Sequence, residues 1–139
     1  MLSALDVSTS GLVAQRRRML EVSQNIANMK STRNEKGESV PYQPRSVVFQ
    51  SEESESNPGV AKVTVSTVVP QNIEPIWRDE PGHPDAAKTG PHAGQVAYPN
   101  IDMMTEYTNA LEAARSYEAN LGAMDITKDM EKQTLRILA

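Results

Sequence analysis

From Asn100 to Ala139 the chain contains no proline, and Tyr107, Ala110, Ala114, Tyr117, Leu121 and Met124 recur in steps of three or four. That spacing sets these side chains along one face of an α-helix. Pro99 stops the preceding segment, Asp102 stands where a helix N-cap is needed, and Lys128, Lys132 and Arg136 suit the negative pole of the helix dipole. Gly122 is the one interior breaker, at a cost of about 1 kcal/mol relative to alanine. A second line, Ile126, Met130 and Ile137, with Leu111, Leu135 and Leu138 beside it, makes the helix apolar on more than one side. At about 1.5 Å per residue it is roughly 55 Å long, more than the width of a compact domain of this size. Such a helix needs partners beyond its own globule.

Residues 2–29 form a second helical pattern. Leu5, Leu12, Met19 and Ile26 recur every seven residues, flanked by Val13, Leu20 and Ala27 and by Val22 and Met29. A heptad step favours packing against another long helix. The expected partner is the stripe from Tyr107 to Met124, antiparallel within one chain. Gly11 and the Ser8-Thr9-Ser10 run weaken the first turns. Arg16, Arg17 and Arg18 fan across about 200° of helix, as a solvated face or as partners for carboxylates on a neighbouring chain. Residues 1–30 carry four basic and two acidic groups, and residues 100–139 four basic and seven acidic, so the two ends attract. Asn28 reads either as a left-handed helix C-cap or, with Asn25, as a buried polar contact that fixes register; Asn120 poses the same choice.

Between the helices the pattern changes. Val47-Val48-Phe49 and the run from Val60 to Val69 read as two strands of an antiparallel hairpin, with Val63 and Val65 facing inward. The connection from Ser51 to Pro58, with Glu52, Glu53 and Glu55, reads as a solvated tip. Gly37 marks a turn. From Pro70 to Pro99 there are six prolines, which predicts an extended path with one short strand near Ile76-Trp77 and no core of its own. The fold class is therefore α+β. Long N- and C-terminal helices pair as a coiled-coil-like core around a small β-rich, proline-rich middle. Residues 1–30 with 100–139 form the helical assembly core, and residues 31–99 the middle region.

Several function classes are disfavoured. One Phe, one Trp and 4% aromatic residues build a poor self-contained core, which makes stability drawn from oligomerisation the expectation. The formal charge of -4 speaks against nucleic acid. No apolar run reaches the roughly 20 residues of a membrane helix, so direct membrane insertion is not expected, and the N-terminus lacks the layout of a cleaved secretory signal. His83 and His92 are the only histidines, cysteine is absent, and the carboxylates Asp79, Glu80 and Asp85 sit among prolines without a spaced ligand set. Phosphate loops, nucleophile elbows and zinc-protease motifs are absent. The reading is a protein without enzymatic activity, metal or cofactor.

Asn25-Ile26-Ala27-Asn28, Glu80-Pro81-Gly82-His83-Pro84-Asp85-Ala86, the Gly94 to Asp102 segment containing Tyr98-Pro99-Asn100-Ile101-Asp102, and Ala114-Arg115-Ser116-Tyr117-Glu118-Ala119-Asn120 together resemble bacterial flagellar rod and hook axial proteins. The Glu-Pro-Gly-His-Pro segment and the short middle region point within that family to the proximal rod. The resemblance implies a structural subunit that self-assembles with other rod proteins to transmit torque from motor to hook and filament. It further implies unfolded export by the flagellar type III system and assembly on the inner-membrane ring at the base of the export apparatus. The residues then expected at helix interfaces are Leu5, Leu12, Met19, Asn25, Ile26, Asn28, Tyr107, Leu111, Ala114, Tyr117, Asn120, Leu121 and Met124. The competing readings are a helical-hairpin adaptor, which shares the heptad seam without needing self-assembly, and another axial protein of the distal-rod or hook type.

Overall fold

The computed structural model describes residues 2–34, 36–53 and 58–138. Glu55 of the acidic connection lies outside the described residues. Helix α1 spans Leu2–Ala27 and helix α2 spans Met103–Leu138. Asp102 sets the start of α2 as its sequence position predicts. Its Oδ1 accepts from the Met104 N–H at 3.1 Å and its Oδ2 from the Thr105 hydroxyl at 2.7 Å, which satisfies part of what a first helical turn leaves open. The Thr105 hydroxyl, followed by the Met104 N–H, holds the Asp102 carboxyl below its usual range.

The end of α1 corrects one expectation. Among the described residues no non-glycine residue has a positive φ, so Asn28 is not a left-handed cap. Its Nδ2 instead donates to the Gln24 carbonyl at 2.9 Å, and its Oδ1 accepts from the Ser31 hydroxyl at 3.0 Å. A side chain that reaches back to a terminal carbonyl removes the need for the left-handed turn.

The helices run antiparallel. Asn25 meets Glu106, Arg18 meets Asn109 and Glu112, and Gly11 faces Asn120. The seven-residue step is present, on a line one residue away from the leucine line: Gly11, Arg18 and Asn25, where Leu12, Met19 and Ile26 were expected. One residue is a rotation of about 100° around the helix. The reason is close approach. Ala14 and Ala113 are fully buried, and a Cβ built on Gly11 would lie 2.7 Å from Asn120 Nδ2. The intrachain seam is thus made of small and polar side chains, with Leu5, Leu12, Met19 and Ile26 half-buried on its flank. Because Gly11 faces Asn120, Leu2 comes level with about residue 129, so the segment from Met130 onward extends beyond Leu2.

Strands β1 (Arg45–Glu53) and β2 (Ala61–Pro70) pair antiparallel from Arg45 opposite Pro70 to Glu53 opposite Ala61. Val48 lies opposite Thr67 but Phe49 opposite Val65, so Ser66 is an extra residue that bulges β2 and tightens the local twist. The hairpin lies along α1. Near its tip the Val63 N–H donates to Ser10 Oγ at 3.1 Å and Lys62 stands 3.8 Å from Asp6; at its base Arg45 bonds Asn25. Val65 is half-buried as expected, while Val63 remains exposed.

Strand β3 (Ile76–Asp79) matches the short strand predicted near Trp77, and it pairs antiparallel with β4 (Gln95–Tyr98) as a separate sheet. The expectation of a segment without a core is corrected here, since Val96 is 0% exposed. Residues 80–94 fold back over the pair: Glu80 N–H donates to the Gly94 carbonyl, Gly94 N–H to the Ala87 carbonyl and Ala87 N–H to the Gln95 carbonyl. Gly94 has φ 82°, a backbone state that a side chain disfavours. Among the described residues the buried hydrophobic core is Ala14, Val22, Val96 and Ala113. So small a core leaves much of the positioning to polar contacts.

Candidate assembly surface

The main polar contact is Asn25, 2% exposed at the junction of α1, β1 and α2. Its Nδ2 donates to the Arg45 carbonyl at 2.9 Å and to Glu106 Oε2 at 3.3 Å, while its Oδ1 accepts from the Arg45 N–H at 2.9 Å and the Tyr42 hydroxyl at 3.0 Å. Both amide protons and both lone pairs are used, the full capacity of an asparagine. One side chain therefore ties the end of one helix to the start of the other and to the hairpin base. Of the two readings open for this motif, register fixing is the one that this geometry supports. Burial pushes the Tyr42 phenol up from its usual range.

The arginine cluster divides its tasks. Arg18 donates to Glu112 at 3.0 Å and to Asn109 at 3.2 Å, so the attraction between the two ends operates inside one chain. Arg17 pairs with Glu21 at 2.8 Å; Arg16 is exposed. Glu21 is 2% exposed and was not singled out by its sequence position. A lone acid between Leu20 and Val22 carries no signal of burial by its own chemistry.

A second tie fixes the β3–β4 unit to the segment after α1. Asp85 Oδ2 accepts from the Thr32 hydroxyl at 2.8 Å, and Oδ1 accepts from Arg33 at 2.8 and 2.7 Å. The Arg33 hydrogen bond first, then that of Thr32, lowers the Asp85 carboxyl below its ordinary 3.8. A carboxyl with a depressed folded-state pKa contributes stability that is complete above the unfolded value and lost as pH falls through the folded value. We expect the wild-type contact to persist as pH passes below 3.8 and to open at lower pH. Asp85→Asn should abolish that step in an acid titration of tryptophan fluorescence, for which Trp77 is the sole reporter. Superimposable titrations of the two chains would contradict it.

The expected interface residues separate into three groups. Asn25 is buried; Leu5, Leu12, Met19, Ile26, Asn28, Ala114, Tyr117, Asn120 and Met124 are half-buried; Tyr107, Leu111 and Leu121 are 56%, 58% and 45% exposed. Tyr107 and Leu111 lie with exposed Met104 on the side of α2 turned from α1, and Leu121 lies on the flank between that side and the seam. Ile126, Met130, Leu135 and Ile137 are also exposed toward the end of α2, where Ile137 is 85% exposed. Val13 and Leu20 add exposed apolar area on α1. Gly11, Ala14 and Ala113, which make the intrachain seam, were missed, although Gly11, Arg18 and Asn25 repeat at seven residues as plainly as the leucines do.

Comparison with known proteins gives a consistent result. The family described as "Flagellar basal body rod FlgEFG protein C-terminal" matches residues 92–137, which include β4 and nearly all of α2. The flagellar basal-body rod protein FlgC of Salmonella typhimurium is 33% identical over 139 residues, covering 99% of this chain and 97% of the relative. The FlgC protein of Bacillus subtilis is 37% identical, covering 96% of this chain and 95% of its own, and that of Aquifex aeolicus is 36% identical, covering 95% and 92%.

Proposed function

Because this chain belongs to the family of flagellar basal-body rod protein FlgC, we propose that the exposed apolar side chains of α2 form the surface on which the rod assembles. The chain is a structural subunit of the flagellar basal-body rod and not an enzyme. In our reading, residues 1–30 and 100–139 act as one coiled-coil-like assembly core, and residues 31–99 form a region carried outside it. Tyr107, Leu111 and Leu121 pack against neighbouring copies and other rod proteins, while Asn25 and Asn120 keep each helical hairpin in register. A rod so built transmits torque through packed, repeated interfaces and turns over no substrate.

One observation carries this reading. So many exposed large apolar side chains along α2, on a protein with so small a core, mark an interaction surface. The proposal extends to a place in the proximal rod, on the inner-membrane ring, and to export by the flagellar type III system. Purified basal bodies from flagellated cells should then contain the chain, and cells lacking the export apparatus should retain it in the cytoplasm. Recovery of the chain only in the cytoplasm of motile cells would refute the assembly reading.

A further inference from the structure

The chain has seven methionines, one phenylalanine and no cysteine, so all of its sulfur is thioether sulfur. Those thioethers are sorted by place. Met19, Met29 and Met124 are half-buried, while Met103, Met104 and Met130 are 42%, 73% and 57% exposed. Every exposed methionine among the described residues therefore lies on α2, the helix that carries the exposed apolar surface. Met103 and Met104 open its first turn, and Tyr107, 56% exposed, follows Met104 at the next position on the same face. Met130 follows exposed Ile126 by one helical turn, where α2 begins to extend beyond Leu2.

We propose that Met103, Met104 and Met130 are a peroxide-sensitive modification site, and that their conversion to methionine sulfoxide keeps the subunit out of the rod. This deepens the assembly reading and rests on it for the consequence, while the chemistry stands on exposure alone. A sulfur lone pair attacks one oxygen of hydrogen peroxide. An S–O bond forms as the O–O bond breaks, sulfur gives up two electrons, and the proton of the transferred hydroxyl joins the departing hydroxide as water. Access decides which thioethers react first, so the three on the surface of α2 precede the half-buried ones. The product is polar and accepts hydrogen bonds, where the thioether was apolar and adaptable. On a free subunit the new oxygen faces water. Pressed against the apolar surface of a neighbour it has no donor, and a buried acceptor without a donor weakens the contact that buries it. Leucine at the same positions would supply the apolar area without this sensitivity.

Peptide mass spectrometry of the purified full-length chain in hydrogen peroxide reads the chemistry. Met103, Met104 and Met130 should gain oxygen several-fold faster than Met19 and Met124, with helical circular dichroism unchanged, and methionine sulfoxide reductase should reverse the gain. The consequence is read in flagellated cells. A chain with Met103→Gln, Met104→Gln and Met130→Gln, in which a polar side chain of similar length stands in for the sulfoxide, should keep its circular dichroism and fall about tenfold in purified basal bodies. A chain with Met103→Leu, Met104→Leu and Met130→Leu, scored against its own untreated level, should keep entering basal bodies at a peroxide dose that depletes the wild type. Equal oxidation rates at the exposed and half-buried methionines overturn the proposal. So does full incorporation of the glutamine variant, and so does an equal loss of the wild-type and leucine chains under peroxide. Wild-type chain absent from basal bodies even without peroxide overturns the rod assignment and the consequence together, whereas the oxidation rates are read independently of it, so the two failures are distinguishable.

Discussion

A chain carrying Leu111→Asp and Leu121→Asp is expected to fold as the wild type does and to be absent from basal-body rods, leaving cells non-motile. Both leucines lie on the surface of α2, where each is about half exposed. In the free subunit the replacements cost only the lower helix propensity of aspartate and a little apolar burial, roughly 0.5 to 1 kcal/mol each. In the rod the same carboxylates are pressed against apolar surface. Burial of an unpaired carboxylate costs several kcal/mol, and about 4 kcal/mol weakens an interface roughly a thousandfold. The penalty recurs at every copy. Thermal unfolding of the purified variant checks the first half, and immunodetection in purified basal bodies with a swarming assay checks the second. Leu121→Met, which keeps the apolar volume, should incorporate and support swimming. Rods of normal composition built from the double aspartate variant would remove these two leucines from the assembly surface.

This contrast between fold and assembly also explains how much of the structure was legible in the sequence. Hydrophobic period and proline placement located both helices, the first hairpin and the strand at Trp77, because those signals act locally. They did not locate the seam between the helices. Leucine lines are the most visible feature of a helix, but here Leu111 and Leu121 stay exposed, and Gly11, Ala14 and Ala113 make the intrachain contact. Small residues announce close approach, which hydropathy does not measure. The β3–β4 unit was obscured for a related reason. Six prolines suggested an open path, whereas the hydrogen bonds of Glu80, Ala87 and Gly94 and the Asp85 tie to Arg33 close the segment on Val96. Each of these contacts joins residues whose pairing depends on the tertiary path.

Asn25 was legible as a motif residue, and its partners make it the most sensitive single position for stability. Asn25→Ala is expected to destabilise the subunit by about 3 to 5 kcal/mol. The substitution strands the Arg45 N–H and carbonyl, the Tyr42 hydroxyl and the Glu106 contact, and each buried polar group left without a partner costs about 1 to 3 kcal/mol. A domain of ordinary stability has about 5 to 15 kcal/mol in total, so a large share is lost. Urea unfolding measures the loss, and amide exchange at Arg45 should accelerate as the hairpin base is released. Asn25→Asp separates acceptor from donor roles. An ionised carboxylate still accepts from Arg45 and Tyr42, but it cannot donate to the Arg45 carbonyl and it faces Glu106. Burial and that like charge raise the pKa of the new acid, so its penalty should grow as pH rises and shrink as the group is protonated. An Asn25→Ala chain within about 1 kcal/mol of wild type, or an Asn25→Asp chain whose stability relative to wild type is flat with pH, would show that the helices and hairpin are held together without this side chain.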